Sequence, residues 1–212
     1  MAIPFERGGG EGLVGGFAET VMRSMSDPVG LFRGAEVGGV GRSVAYATAI
    51  GTFVQCVGLT YLLIMSSLVD IGSMAPEPMR QAFRDALHPV DLTIQLVLTP
   101  IQTAIGLLLF AAIAHGLLSA TGNVRLGYAG TVAAAAYSYG PMLLAVIPFC
   151  GALIGFVWSL VLLILGLATL QEAGVGRALL ATLVAGTACC CVGFLAQVAI
   201  APIVLLLRGL VG

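Results

Sequence analysis

The sequence predicts an all-α integral membrane protein, a bundle of five transmembrane helices with amphipathic interfacial helices before the first crossing and between the first two. Of its 212 residues, 59% are hydrophobic and 9% charged, with a mean hydropathy of +1.07, whereas soluble domains carry about 25% charged residues. Residues 126–171 include no charged side chain, and this stretch is about twice the ~20 residues that cross a bilayer. Because Pro148 and Gly151 interrupt it, we expect a transmembrane hairpin that turns at Ile147 to Gly151.

The charged and sulfur-containing residues argue against several functional classes. The formal net charge is −1, and every basic residue is Arg, so no Lys-rich tract favours nucleic acid as a partner. The five cysteines lie in apolar segments or at a membrane turn: Cys56, Cys150, Cys189, Cys190 and Cys191. We therefore expect neither a disulfide framework nor binding to nucleic acid.

Residues 1–42 are predicted to form an amphipathic amino-terminal arm. The apolar residues of a helix over residues 13–25 share one side: Leu13, Val14, Phe17, Val21, Met22 and Met25. Glu19 and Arg23 lie on the other side. This pattern is typical of a helix in the membrane interface, and it fits equally an arm packed over the cytoplasmic end of the bundle. Asp27-Pro28 ends this helix and can cap a second short helix that runs to Phe32.

The first two crossings are separated by a long loop. Ser43 to Val69 is the first charge-free span, and the second runs from about Leu92 to Leu118. Pro78 to Leu87 is amphipathic, which predicts another interfacial helix in the loop. Pro89 suits the first turn of the second crossing, where the helix dipole favours the carboxylate of Asp91.

Three further crossings complete the bundle. We expect them at Tyr128 to Val146, Gly151 to Leu170, and Ala178 to about Ile200, with Pro202 kinking or ending the last. Arginine in short loops is retained on the cytoplasmic side. With the amino terminus inside, the cytoplasmic segments hold six Arg residues and the opposite side three. The sequence thus predicts a cytoplasmic amino terminus and a carboxyl terminus on the opposite side.

The segment Arg125 to Val184 resembles the Yip family of membrane proteins, the Ypt/Rab-interacting proteins and their bacterial relatives. The matching features are Tyr137-x-Tyr139-Gly140-Pro141, the turn after Pro148, the helix with Trp158-Ser159-Leu160, and Gly176-Arg177-Ala178. Earlier in the chain, Asp27-Pro28-x-Gly30-x-Phe32 occupies the place of the family's pre-membrane segment.

This resemblance implies a five-crossing bundle over residues 43–212 with a cytoplasmic amino terminus. In eukaryotic members it implies vesicle trafficking through small GTPases and other membrane partners. The absence of Lys beside abundant Ala, Gly and Arg is typical of a GC-rich bacterial gene. We therefore expect a bacterial inner-membrane protein whose partners are the lipid bilayer and either other membrane proteins or further copies of the chain.

A polar stripe along the second crossing is the first candidate site. Its members recur three or four residues apart: Asp91, Gln95, Thr99 and Gln102. Thr52 and Gln55 of the first crossing and Gln197 of the fifth can join them. Since polar side chains in hydrocarbon need a partner or water, we expect a polar cavity inside the bundle. Interhelical hydrogen bonds that serve packing alone explain the stripe as well.

The second candidate is the family motif, formed by Tyr137, Tyr139, Gly140, Pro141 and Trp158. It shapes a binding site, or else it serves only as a kink with interfacial aromatic anchors. His115 has no carboxylate within helical reach, which favours a structural, hydrogen-bonded histidine over a proton relay. Three consecutive cysteines cannot close one metal shell on a helix. We expect no catalytic residues, metal or cofactor.

These patterns favour a non-enzymatic Yip-type protein that organises membranes or membrane-protein partners. The alternative is a small transporter, channel or lipid-moving protein that uses the polar stripe around Gln95 and Gln102. Transport separates the two hypotheses, because only the second requires flux or lipid exchange.

Overall fold

The computed structural model describes residues 3–7, 12–68, 76–77, 81, 87–122 and 124–211, and of residue 201 and residues 203–211 it describes only the backbone. Three short helices form the arm: α1 (Pro4–Arg7), α2 (Gly12–Ser26) and α3 (Pro28–Phe32). The membrane helices are α4 (Val40–Leu68), α5 (Pro89–Thr121), α6 (Gly127–Tyr137), which continues in a 3₁₀ segment (Gly140–Val146), α7 (Gly151–Leu170) and α8 (Val175–Val211). Within these described ranges, five spans are long and apolar enough to cross a membrane, as the sequence predicts.

Local sequence signals set several helix starts where we expected them. The carboxylate of Asp27 accepts a hydrogen bond from the backbone N–H of Gly30 at 2.9 Å, and Pro28 opens α3. At α5, Pro89 occupies the first turn, and the Nδ1 atom of His88 accepts from the N–H of Val90 at 3.3 Å. Both proline-led helices therefore begin as predicted.

The third crossing has the predicted bounds but is not one continuous α-helix. The α-helical part ends at Tyr137 and a 3₁₀ segment follows. Pro141 explains the change, because it has no N–H to bond the Tyr137 carbonyl and its ring clashes with that group. In the fifth crossing, α8 continues through Pro202 to Val211, so Pro202 does not end this helix, and the alternative of a kink there stays a prediction. The predicted interfacial helix at Pro78 to Leu87 lies outside the described residues, apart from Gln81 and Leu87.

The hairpin of the third and fourth crossings turns where the sequence predicts. Phe149 has a φ of 65°, and the N–H of Gly151 donates to the carbonyl of Ile147 at 3.1 Å. A Cβ atom on Gly155 would lie 2.6 Å from the Pro141 carbonyl oxygen. The glycine therefore allows α7 to pack against the 3₁₀ segment at close range.

α6 lies at the centre of the bundle. It packs against α4, α5 and α7, and α8 packs outside α5 and α7. Residues 130–137 of α6 are all buried. The arm covers the remaining side of the third crossing, since α1 contacts α4, α2 contacts the 3₁₀ segment and α3 contacts α7. The arm thus closes the bundle between α4 and α7.

The two ends of the bundle differ in polarity. At one, which we call the arginine end, Arg125 forms an ion pair of 3.0 Å with Glu172, and Arg177 donates to the carbonyl of Thr121 at 3.1 Å. The other, the turn end, carries the turn at 147–150, where Phe149 is 96% exposed. There the hydroxyl of Tyr61 in α4 donates to the carbonyl of Val146.

Candidate functional site

The best-defined polar site is the seat of Glu6, which lies in α1 and is only 8% exposed. Its Oε2 atom accepts from the N–H of Gly38 at 2.5 Å, and its Oε1 atom accepts from the hydroxyls of Tyr137 at 2.8 Å and Ser43 at 3.3 Å. Arg42 donates to the backbone carbonyl of Glu6 at 2.6 Å. A buried carboxylate costs free energy unless donors surround it, and these groups supply them.

An aromatic cluster seals this seat from its surroundings. The ring of Phe17 lies 5.1 Å from that of Tyr46, which lies 5.0 Å from that of Tyr137. The ring of Phe5 packs against two of these rings, at 6.1 Å from Phe17 and 5.5 Å from Tyr46. Both tyrosines are fully buried. Aromatic pairs at such distances add stability beyond their buried area, so the cluster joins the arm firmly to α4 and α6.

A second polar contact holds the far end of α2. The indole N–H of Trp158 in α7 donates to the carbonyl of Ser24 at 3.0 Å. Gly140 makes room for this contact, because a Cβ atom there would clash with the Ser24 hydroxyl and lie 3.0 Å from the Tyr46 hydroxyl. Only a residue without a side chain fits between these two groups.

The third contact is made by Phe32 at the end of α3. Its side chain is fully buried, with the ring against Gly166 of α7 and Ala134 of α6 nearby. A Cβ atom on Gly166 would lie 3.0 Å from the ring's Cζ atom. The arm is therefore held at three points: Glu6, Ser24 and Phe32.

Comparison with models of known protein families identifies the family of this helical bundle. A family model described as the Yip1 domain matches residues 43–207, more than half of the chain. The chain belongs to the Yip1 domain family. Comparison with curated proteins and with solved structures gives no match. The predicted resemblance is thus confirmed, and the docked arm precedes the matched part of the Yip1 domain.

The structure brings most of the predicted motif together around the arm. Tyr137, Gly140 and Trp158 all contact it, through Glu6 or Ser24. Pro141 opens the 3₁₀ segment, and Tyr139 is half-buried against the core. In this Yip1 domain, three of the five motif residues therefore contact the chain's own amino-terminal arm.

The sequence analysis did not identify Glu6, Gly38 and Ser43 as members of a polar site. Glu6 bonds to residues 32, 37 and 131 positions away, so no local spacing could reveal them. A usable signal was the position of Glu6 beside Ile3 and Phe5, because a carboxylate in an apolar segment needs donors from elsewhere.

The predicted polar stripe is only partly assembled. The amide nitrogen of Gln55 in α4 lies 3.4 Å from the amide oxygen of Gln95 in α5. Thr52 and Thr99 bond to carbonyls of their own helices at 2.8 and 2.6 Å. Asp91 lies in the first turn of α5 and is half-buried. Gln102 and Gln197 are both exposed. A cavity lined by all seven residues stays a prediction.

His115 belongs to a polar network at the arginine end of the Yip1 domain. Its Nδ1 atom lies 3.2 Å from the Thr131 hydroxyl, and its Nε2 atom lies 3.4 Å from the Ser119 hydroxyl. Buried Gln171 donates to Thr131 at 2.9 Å and to the Gly127 carbonyl at 2.6 Å. These contacts join α5, α6 and the end of α7, which is the arrangement expected of a hydrogen-bonded structural histidine.

No metal centre forms in the described part of the chain, where no cluster of His, Cys, Asp or Glu side chains could hold an ion. All five cysteines are free, and four of them are exposed.

An apolar groove of about 580 Å³ lies beside the Ser24 contact, lined by Met25, Leu144, Leu153, Ile154, Val157 and Trp158. Its lining suits hydrocarbon and carries few polar groups.

Proposed function

We propose that this Yip1 domain protein acts without catalysis, organising membranes or membrane-protein partners through shape and association. One observation carries the proposal: Tyr137 and Trp158, two side chains of the family motif, bond to the arm. The polar atoms of these two side chains therefore hold one segment of the protein against another, and this contact uses their hydrogen-bonding capacity. The bilayer and other membrane proteins or further copies of the chain are the partners that this role needs.

The exposed side of α2 supports this role. Its packed side is formed by small residues, Gly16, Thr20 and Ser24. Leu13 and Val14 point away from the bundle and are 62% and 82% exposed, whereas Glu19 and Arg23 form an ion pair of 2.6 Å. An apolar side next to a charged pair suits contact with lipid or with a partner helix.

A small transporter, channel or lipid-moving protein is the second candidate. The pairing of Gln55 with Gln95 across α4 and α5 favours it, because it places amides between two membrane helices. Polar groups at membrane depth mark substrate pathways as well as packing sites.

Reconstitution into liposomes separates the two functions. For the favoured function we expect the protein to change vesicle size or shape, as seen by cryo-electron microscopy, without ion leakage or exchange of labelled lipid. The transport function instead requires flux that the double substitution Gln95→Leu, Gln102→Leu abolishes while the protein stays folded. Vesicles of unchanged shape together with rapid flux would overturn the favoured proposal.

We also propose that the amino terminus is cytoplasmic in a bacterial inner membrane, following the distribution of arginine. Cys150 then faces away from the cytoplasm, and Glu172 faces it. We expect a membrane-impermeant maleimide to label Cys150 in intact spheroplasts when the other four cysteines are replaced. A cysteine-free chain with Glu172→Cys is the matched control, labelled only after permeabilisation. The reverse pattern would invert the orientation.

A further inference from the structure

The outer part of α8 is unpacked on every side. All ten residues from 190 to 199 are exposed, and ten consecutive residues of an α-helix cover every direction around its axis. Earlier in the same helix, Ala178, Ala181 and Ala185 are buried against the bundle. The helix therefore packs against the bundle near the arginine end, whereas the described part of the chain leaves residues 190–199 exposed.

Two amides lie at the same depth in this region. Gln102 follows Asp91 by eleven residues in α5, and Gln197 precedes Arg208 by eleven residues in α8, which is about 16 Å along each helix. The antiparallel contact of Arg177 with Thr121 sets the register of the two helices. Counting twenty residues from that contact along each helix places Gln197 at the depth of residue 101, level with Gln102.

Neither amide is satisfied by the bundle. Both side chains are exposed, and no hydrogen bond joins them to any other residue within the described ranges. Ile101, Ile105, Phe194 and Val198 around them are exposed and apolar, so hydrocarbon is their surrounding medium. Lipid tails offer no hydrogen bonds, and polar side chains at this depth need a protein partner.

We propose that the outer parts of α5 and α8, residues 95–105 and 190–199, form the contact between two copies of this chain. An amide both donates and accepts hydrogen bonds, so it can pair with its own copy. A two-fold axis brings the same residues of both copies together, and therefore suits self-complementary groups. A lone carboxylate or guanidinium lacks this property, because its copy would repel it.

This inference rests on the proposed function, since it names one partner through which the protein associates, but it is tested separately. The tagged chain is reconstituted at decreasing protein-to-lipid ratios and its oligomeric state is counted from photobleaching steps. We expect dimers, and we expect Gln102→Leu with Gln197→Leu to weaken dimerisation by about tenfold to a hundredfold, because four interhelical amide groups are lost.

The control is Gln55→Leu, which removes an amide of α4 that lies outside the proposed contact and should leave the dimer unchanged. Disulfide formation with copper phenanthroline tests the same face independently of these variants. In a cysteine-free background we expect Phe194→Cys to cross-link two chains and the equally exposed Leu153→Cys on α7 not to do so.

Bleaching in one step at every ratio, or equal cross-linking at both positions, would overturn the inference. A dimer that survives the Gln102 and Gln197 substitutions would do the same. Vesicles that still change shape while the chain is monomeric would leave the proposed function standing and remove only this contact.

Discussion

Replacing Glu6 by alanine should release the arm from the bundle. The change leaves the hydroxyls of Tyr137 and Ser43 and the N–H of Gly38 without their acceptor. Each buried group that loses its partner costs about 1–3 kcal/mol, so we expect arm docking to weaken by about 3 kcal/mol or more. Amide hydrogen exchange measured by mass spectrometry should then speed up about a hundredfold in residues 12–32.

Glu36→Ala provides the control for this experiment. Glu36 is an exposed carboxylate in the linker that joins α3 to α4, residues 33–39, which also contains Gly38. Its loss should leave exchange in α2 unchanged. Exchange in α6 and α7 should change little in either variant if the arm opens as a unit. Equal exchange in wild type and Glu6→Ala would show that the carboxylate does not hold the arm.

Phe32→Ala should have the second large effect, on global stability. The ring is fully buried between α3, α6 and α7, and removing a buried Phe side chain typically costs about 3–5 kcal/mol. We expect the free energy of unfolding, measured by titration with sodium dodecyl sulfate in mixed micelles, to fall by that amount. Phe149→Ala, which truncates a 96% exposed ring, should leave it nearly unchanged.

A double substitution tests whether the effect arises at the contact with Gly166. Gly166→Ala alone should destabilise, because its Cβ atom would lie 3.0 Å from the Phe32 ring. In the Phe32→Ala background this clash disappears and the added methyl group fills part of the cavity. The two changes should therefore be strongly non-additive, and simple additivity would contradict the packing described.

The crossings and the hairpin were predictable because they depend on local composition. A run of about 20 apolar residues is sufficient to predict a membrane helix, and Pro148 marks the turn within the sequence itself. Pro141 also gives a local signal for the break in the third crossing, but no local signal predicts the close approach of Gly155 to its carbonyl. That contact joins two helices, and helical periodicity carries no information about it.

The packing of α2 shows a different limit. The residues of its predicted apolar stripe divide in the structure, because Phe17 and Val21 pack against the core whereas Leu13 and Met22 are exposed. The fully buried residues of α2 are instead Gly16, Thr20 and Ser24. In water, large apolar side chains gain most from burial, whereas in lipid they gain little by turning inward. Small residues then decide which face packs, because they allow helices to approach closely.

The seat of Glu6 could not have been predicted from spacing. Its partners come from the linker, α4 and α6, and each is brought near only by the complete fold. The pairing of Gln55 with Gln95 is intermediate, since the sequence placed both on polar faces without fixing which residues would meet.

The central position of α6 has a consequence for biosynthesis. The third span is the least apolar of the five, and much of it consists of Ala and Gly. Such a segment gains little on leaving the translocon alone, because alanine and glycine contribute little to partitioning into lipid. We therefore expect the third span to enter the membrane together with the strongly apolar fourth span, as a pair of helices joined at Pro148.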